Sequence, residues 1–124
     1  MKTAISILIA GSLIGGAIML TTGDSTPSVD NVTIEDGKQI IEVTAKGKYS
    51  PKLTAAKAGV PTVLRMKTMG TYDCTAALKI PSIGYENTLP PSGMTDIELP
   101  AQKPGATIQG VCAMGMYNFK VQFN

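Results

Sequence analysis

Four sulfur side chains set the chemical question: Cys74, and the run Cys112-Ala113-Met114-Gly115-Met116 in which sulfur returns at every second position. In extended chain alternate side chains project from one side, and in a tight loop Gly115 lets the backbone turn without a Cβ penalty. Either way three sulfurs can converge on one small volume. Thiolate and thioether are soft donors and select soft metals, of which Cu(I) is the natural candidate because it accepts two or three sulfurs without a rigid geometry. Zinc asks for more thiolates or for imidazole, and this chain has two Cys and no His. Two thiolates carry two negative charges, which two Cu(I) ions neutralise, so the charge count favours a two-copper cluster with bridging thiolates. Loading such a site releases protons, because the metal takes the thiolate and not the thiol.

The absence of histidine narrows the remaining functions. A chain of 124 residues with no His has no Ser-His or Cys-His pair, no imidazole proton shuttle and no blue-copper electron-transfer centre, which needs two His. No acid-base pair, activated nucleophile or phosphate-cradling loop is apparent, so neither an enzyme nor a small-molecule substrate is expected. Eleven basic against nine acidic residues leave a net charge of +2, and only six residues are aromatic, which argues against nucleic acid as a partner. One alternative stays open. The pair Cys74 and Cys112 in an extracellular β-domain would form a disulfide, making the protein a binding module with Met114 and Met116 as packing residues.

The elements that must position these sulfurs are short strands. Period-two alternation and β-rich composition mark 31–35, 38–45, 53–56, 61–67, 72–80, 83–89, 95–99, 107–112 and 118–123 as strands. Pro and Gly fall between them at regular intervals, at Gly47, Gly59-Val60-Pro61, Pro81, Pro90-Pro91-Ser92-Gly93, Pro100 and Pro104-Gly105. No window outside the amino-terminal segment sustains a helical apolar period. A mainly β protein, a sandwich or barrel over residues 31–124, is the expectation. Cys74 is placed inside a strand just after a loop, and thirty-seven residues separate it from Cys112, ample for two strands to bring them together. Met66 alternates with the core face of its strand, whereas Met69 and Met94 flank loops and are candidates to assist the site.

Residues 3–22 contain no charge and are dominated by Ile, Leu, Ala and Gly. Twenty residues at about 1.5 Å rise span roughly 30 Å, the hydrocarbon thickness of a bilayer. The run is followed by neither an Ala-x-Ala site nor a Cys, so residues 1–22 are expected to form a single transmembrane anchor and not a cleaved signal or lipoprotein leader. Gly11 and Gly15 are spaced for close helix approach. Residues 23–30, GDSTPSVD, then read as a linker.

The run from Tyr49-Ser50-Pro51 to Ala58-Gly59-Val60-Pro61 resembles the opening half of small cupredoxin-like domains. Cys74, Lys103-Pro104-Gly105 and Cys112-Ala113-Met114-Gly115-Met116 resemble their copper end. Together with the amino-terminal helix, the chain is similar over its full length to CupA-type membrane-anchored copper(I) chaperones of Gram-positive bacteria. The resemblance implies a Greek-key β-sandwich with a binuclear Cu(I) site, Cys74 and Cys112 bridging and Met114 and Met116 completing coordination. In ordinary cupredoxins His stands where Cys74 stands here, and the loop after the second Cys supplies His and Met; sulfur in both places fits retention of copper as Cu(I). Similar domains often read Cys-Gly-Met-Gly-Met with a further Gly two residues on; this chain departs at Ala113 and Asn118. The resemblance also implies a partner, the metal-binding domain of a copper-exporting P-type ATPase in the same membrane. A cytosolic face for the soluble domain follows, since free thiols and Cu(I) need a reducing compartment. The thin charge asymmetry around the anchor leans the other way.

Overall fold

The computed structural model describes residues 26–124. Ten strands form two five-stranded sheets. The first has the order β1 (Val32–Glu35), β2 (Lys38–Ala45), β5 (Thr62–Thr68), β8 (Gly93–Leu99), with the two-residue β3 (Tyr49–Ser50) paired to the end of β2. The second has the order β4 (Leu53–Ala56), β10 (Asn118–Phe123), β9 (Thr107–Cys112), β6 (Ala77–Ile80), β7 (Tyr85–Thr88). Two pairings are parallel, β2 with β5 and β4 with β10, because the chain crosses between sheets before returning.

Alternation builds the core. Ile41, Val43 and Ala45 of β2, Leu64 and Met66 of β5, and Ile97 and Leu99 of β8 point inwards from the first sheet. They meet Leu78, Ile80, Ile108, Phe119, Val121 and Phe123 from the second. Fully burying each large apolar side chain contributes roughly 1.5–3 kcal/mol, so these inner faces hold the two layers together. One close approach is specific. Gly110 on β9 lies opposite Phe119 on β10, and a Cβ at Gly110 would stand 2.2 Å from the Phe119 ring. Glycine is needed there because the ring occupies the space a side chain would take. The Phe119 ring in turn meets Tyr49 edge-on, with centroids 5.0 Å apart.

At the end of the sandwich where β2 begins, Gln39 is 1% exposed and fully engaged. Its amide donates to the Lys57 carbonyl and the Thr62 hydroxyl, both at 3.1 Å, and its carbonyl accepts from Lys57 N–H at 2.9 Å.

Most strands fall where alternation places them, with 38–45, 53–56, 107–112 and 118–123 matching to the residue and 31–35, 61–67 and 95–99 displaced by one or two residues, while β3 lies in a segment expected to be a turn. Two differ more. The expected strand 72–80 starts only at Ala77, because Cys74–Ala76 forms a 3-10 turn with Asp73 as its amino-terminal cap. The Asp73 carboxylate accepts from the Thr75 N–H at 2.8 Å, a local bond that competes with strand pairing. Likewise the expected strand 83–89 is reduced to Tyr85–Thr88, since Pro81 opens a second 3-10 turn over Pro81–Ile83 that Gly84 ends in the left-handed region.

The anchor expected over residues 1–22 lies outside the described residues, among which no helix is long and apolar enough to cross a membrane. Of the expected linker 23–30, Ser28 is tied to the edge of the second sheet. It donates to the Leu53 carbonyl at 2.8 Å and accepts from Ala55 N–H at 3.0 Å.

Candidate metal centre

Cys112 is the last residue of β9 and points into the core, 1% exposed. The chain then turns sharply. Gly115 N–H donates to the Cys112 carbonyl at 2.8 Å, with Gly115 at φ 74°, and Cys112 N–H donates to the Tyr117 carbonyl at 3.0 Å. Ala113 N–H reaches the Ala77 carbonyl at 2.8 Å, which docks the loop on β6. In this wrap the backbone N–H groups of Tyr117, Met116 and Met114 lie near enough to the Cys112 sulfur to favour its ionised form.

Cys74 enters from the opposite side, on the 3-10 turn that leads into β6, and is half-buried. Both cysteines are free, and their side chains hydrogen-bond to each other. Burial pushes the Cys112 thiol up, but the Cys74 side chain and the three backbone donors outweigh it, so the group ionises below the ordinary thiol range. Cys74, as donor in that bond, ionises above the ordinary range, with burial and the charges of Cys112 and Asp73 adding to the shift. Of the two thiols, Cys112 therefore gives up its proton more readily than Cys74.

The turn carrying Cys74 is fixed by residues that the sequence reading did not single out. Asp73 accepts from Thr75 N–H and from the Thr75 hydroxyl through one oxygen, and from Gly47 N–H at 2.7 Å through the other. Those bonds hold the Asp73 carboxyl below its usual range, the Thr75 hydroxyl contributing most. Tyr49 donates its hydroxyl to the Thr75 carbonyl at 2.9 Å. Burial first, and then Cys112, Cys74 and Asp73, push the Tyr49 phenol above its ordinary value, so it stays a donor. A continuous support therefore runs from Gly110 through Phe119 and Tyr49 to Thr75 and Asp73. Asp73-Cys74-Thr75 carries a readable signal, since Asp two residues before Thr favours such a turn. The contacts to Gly47 and Tyr49, each spanning 26 residues, carry none.

Met114 and Met116 ride on the loop around Cys112 with side chains 74% and 64% exposed. The structure therefore brings the two thiols together and leaves the two thioethers at the rim. Met66 is fully buried in the core, while Met69 and Met94 are exposed at the same end of the first sheet. Among the described residues no three of the His, Cys, Asp and Glu side chains converge, so a third donor at the thiol pair has to be a thioether or a main-chain group. Two adjacent thiols with exposed soft donors beside them can bind a soft cation and exchange it without redox chemistry.

Two solved structures are similar in fold. One is the metal-binding domain of the Cu(I)-exporting P-type ATPase CopA of Streptococcus pneumoniae D39, solved with Cu(I). It has a TM-score of 0.67 at 17% identity, covering 81% of this chain and 99% of that one. The other is a copper binding protein in its apo form, solved by NMR, with a TM-score of 0.68 at 22% identity, covering 78% of this chain and 98% of that one. No curated protein sequence matches the chain. The family model of the cupredoxin-like domain matches residues 13–123. With a two-sheet sandwich, its second cysteine ending a strand and a sulfur-bearing loop after it, the chain belongs to the cupredoxin-like domain family.

Proposed function

We propose that the domain binds Cu(I) as cargo, two ions between Cys74 and Cys112 with Met114 and Met116 as thioether donors, and passes it on by ligand exchange. The observation that carries this is the pair of free, mutually interacting thiols at one end of the sandwich, wrapped by a loop whose two large exposed side chains are both thioethers. A buried thiolate anchors the metal, and neutral thioethers at the rim give an incoming ligand its entry. The ion held mainly by Met114 and Met116 leaves first, because thioethers carry no charge to retain it.

The recipient in this reading is the metal-binding domain of a copper-exporting P-type ATPase, and the physiological role is copper resistance. Residues 1–22 anchor the protein in the same membrane with the domain facing the cytosol, where both thiols stay reduced and tethering raises the local concentration near the pump. Transfer involves no catalytic turnover. The fold shared with a metal-binding domain of such a pump is consistent with donor and recipient being alike in shape.

Removing the thioethers tests the reading. Full-length Met114→Ala/Met116→Ala should load one copper in place of two and release it to a purified pump metal-binding domain more slowly. Unchanged stoichiometry and unchanged transfer would refute the role of the loop. A thiol count on the metal-free protein separates the reading from a disulfide-bonded module: two free thiols are expected, and none would favour the disulfide.

A further inference from the structure

Charge is distributed unevenly between the ends of the sandwich. At the end where β2 begins, Glu35, Asp36, Asp96 and Glu98 line one recess together with Lys38. Arg65 pairs with Asp96 at 2.9 Å and Lys38 with Glu98 at 3.9 Å. At the sulfur end the balance is reversed. Lys46 and Lys48 occupy the turn between β2 and β3, and Gly47 between them is bonded to Asp73, the residue before Cys74. Lys52 follows β3. All three lysines are exposed, and none has an ion pair among the described residues. The carboxylate beside them, Asp73, already accepts through both oxygens.

Two of these lysines, Lys48 and Lys52, line the same concavity as a thioether. A recess of about 330 Å³ is lined by Lys48, Lys52, Tyr49, Tyr117 and Met116. Its floor is rigid, since Tyr49 is 3% exposed and bonded to the Thr75 carbonyl. The sequence alone spreads the basic residues thinly; folding gathers these three because the β2–β3 turn docks on Asp73.

We infer that Lys48 and Lys52 beside Met116, with Lys46 on the adjoining turn, form the docking surface for an acidic protein partner, one that inserts a carboxylate side chain into this recess as its own thiolates approach the copper. The inference rests on the proposed copper transfer and specifies the surface chemistry of the recipient. A concave pocket with cations in its wall suits an inserted side chain, whereas a flat lipid surface would need its cations on a convex face. Approach of an anion is favoured here by Coulomb attraction, which is screened within about 10 Å at 0.1 M salt.

Two Cu(I) chelators serve as probes, bicinchoninate with its carboxylates and neutral neocuproine, against copper-loaded full-length protein in a neutral detergent. For Lys48→Glu/Lys52→Glu, copper withdrawal by bicinchoninate should slow about tenfold at low ionic strength, and the effect should fade as salt rises. Withdrawal by neocuproine and the copper count should not change. Lys48→Gln/Lys52→Gln, which adds no repulsion, should give an intermediate effect and covers the case in which the double reversal folds poorly. Equal slowing with both chelators, or no slowing with either, would overturn the inference. So would protection of Lys48 and Lys52 from acylation only when the protein sits in vesicles containing phosphatidylglycerol, which would assign the lysines to lipid. Wild-type protein that fails to load copper refutes the transfer reading itself, whereas normal loading with unaltered chelator selectivity in the variants removes this inference alone.

Discussion

At the end of the sandwich where β2 begins, a buried Gln39 satisfies Lys57 and Thr62, and acids and bases pair off. At the end where β2 stops, the scaffold is just as firmly tied, through Asp73 to Gly47 and Tyr49 to Thr75, yet its outer residues are left unpartnered. Met69, Tyr72, Met94, Met114 and Met116 are exposed there, beside unpaired lysines. The difference lies in what the bonds position. The same kind of side-chain-to-backbone hydrogen bond closes one end and, at the other, holds a thiol pair in place while displaying soft donors to solvent.

That contrast is sharpest at Asp73. Asp73→Ala removes every bond that fixes the Cys74 turn to Gly47 and Thr75, so copper affinity should fall about 10- to 100-fold, as for other residues that orient metal ligands. Losing this cap should also cost about 0.5–2 kcal/mol of stability. Competition titration and thermal unfolding of the same variant check both halves; unaltered affinity would mean the turn holds itself.

Gly110→Ala should damage both properties. Its methyl group would displace the Phe119 ring, which bears on Tyr49 and through it on Thr75. A loss of about 1–3 kcal/mol of stability is expected from overpacking, together with weaker copper binding. Denaturant unfolding beside a copper titration measures it.

Gln39→Ala contrasts with Asp73→Ala. Leaving the Lys57 backbone groups without their partner should cost about 1–3 kcal/mol of stability. Copper stoichiometry and affinity should stay at wild-type values, because nothing links Gln39 to the sulfur end. A copper defect in this variant would erase the distinction between the two ends.

The smallest effect is the pH dependence at the closed end. The hydrogen bond from Arg65 holds the Asp96 carboxyl below its usual range, with burial opposing. The unfolded chain therefore binds the proton more readily, and the pair's contribution is present above the ordinary carboxylate pKa and lost as pH falls through the folded value. Arg65→Gln should lower stability slightly near neutral pH, and the two proteins should converge in acid. High salt should shrink the gap, since the pair is exposed.

Much of this was legible before folding. Alternation located β2, β4, β9 and β10 to the residue, because each is a run of strand-forming residues closed by turn residues. Sulfur spacing singled out Cys112, Met114 and Met116 without a structure. What escaped was determined by contacts distant in sequence or by local side-chain capture. Cys74 belongs to a turn and not a strand, since the Asp73 carboxylate reaches Thr75 first. Periodicity also could not foresee that Cys112 is buried while Met114 and Met116 are exposed, since the chain leaves the strand in a tight turn at Gly115. Nor could it foresee that lysines at 48 and 52 share a recess with Met116, more than 60 residues away in sequence.

The most direct test of the account is an anaerobic Cu(I) titration of the full-length protein against a competing chelator, run beside Cys112→Ser. Two tightly bound equivalents in the wild type, both lost in the variant, are predicted. A single equivalent would contradict the binuclear site, and copper binding that survives in Cys112→Ser, or is absent from the wild type, would contradict the sulfur centre itself.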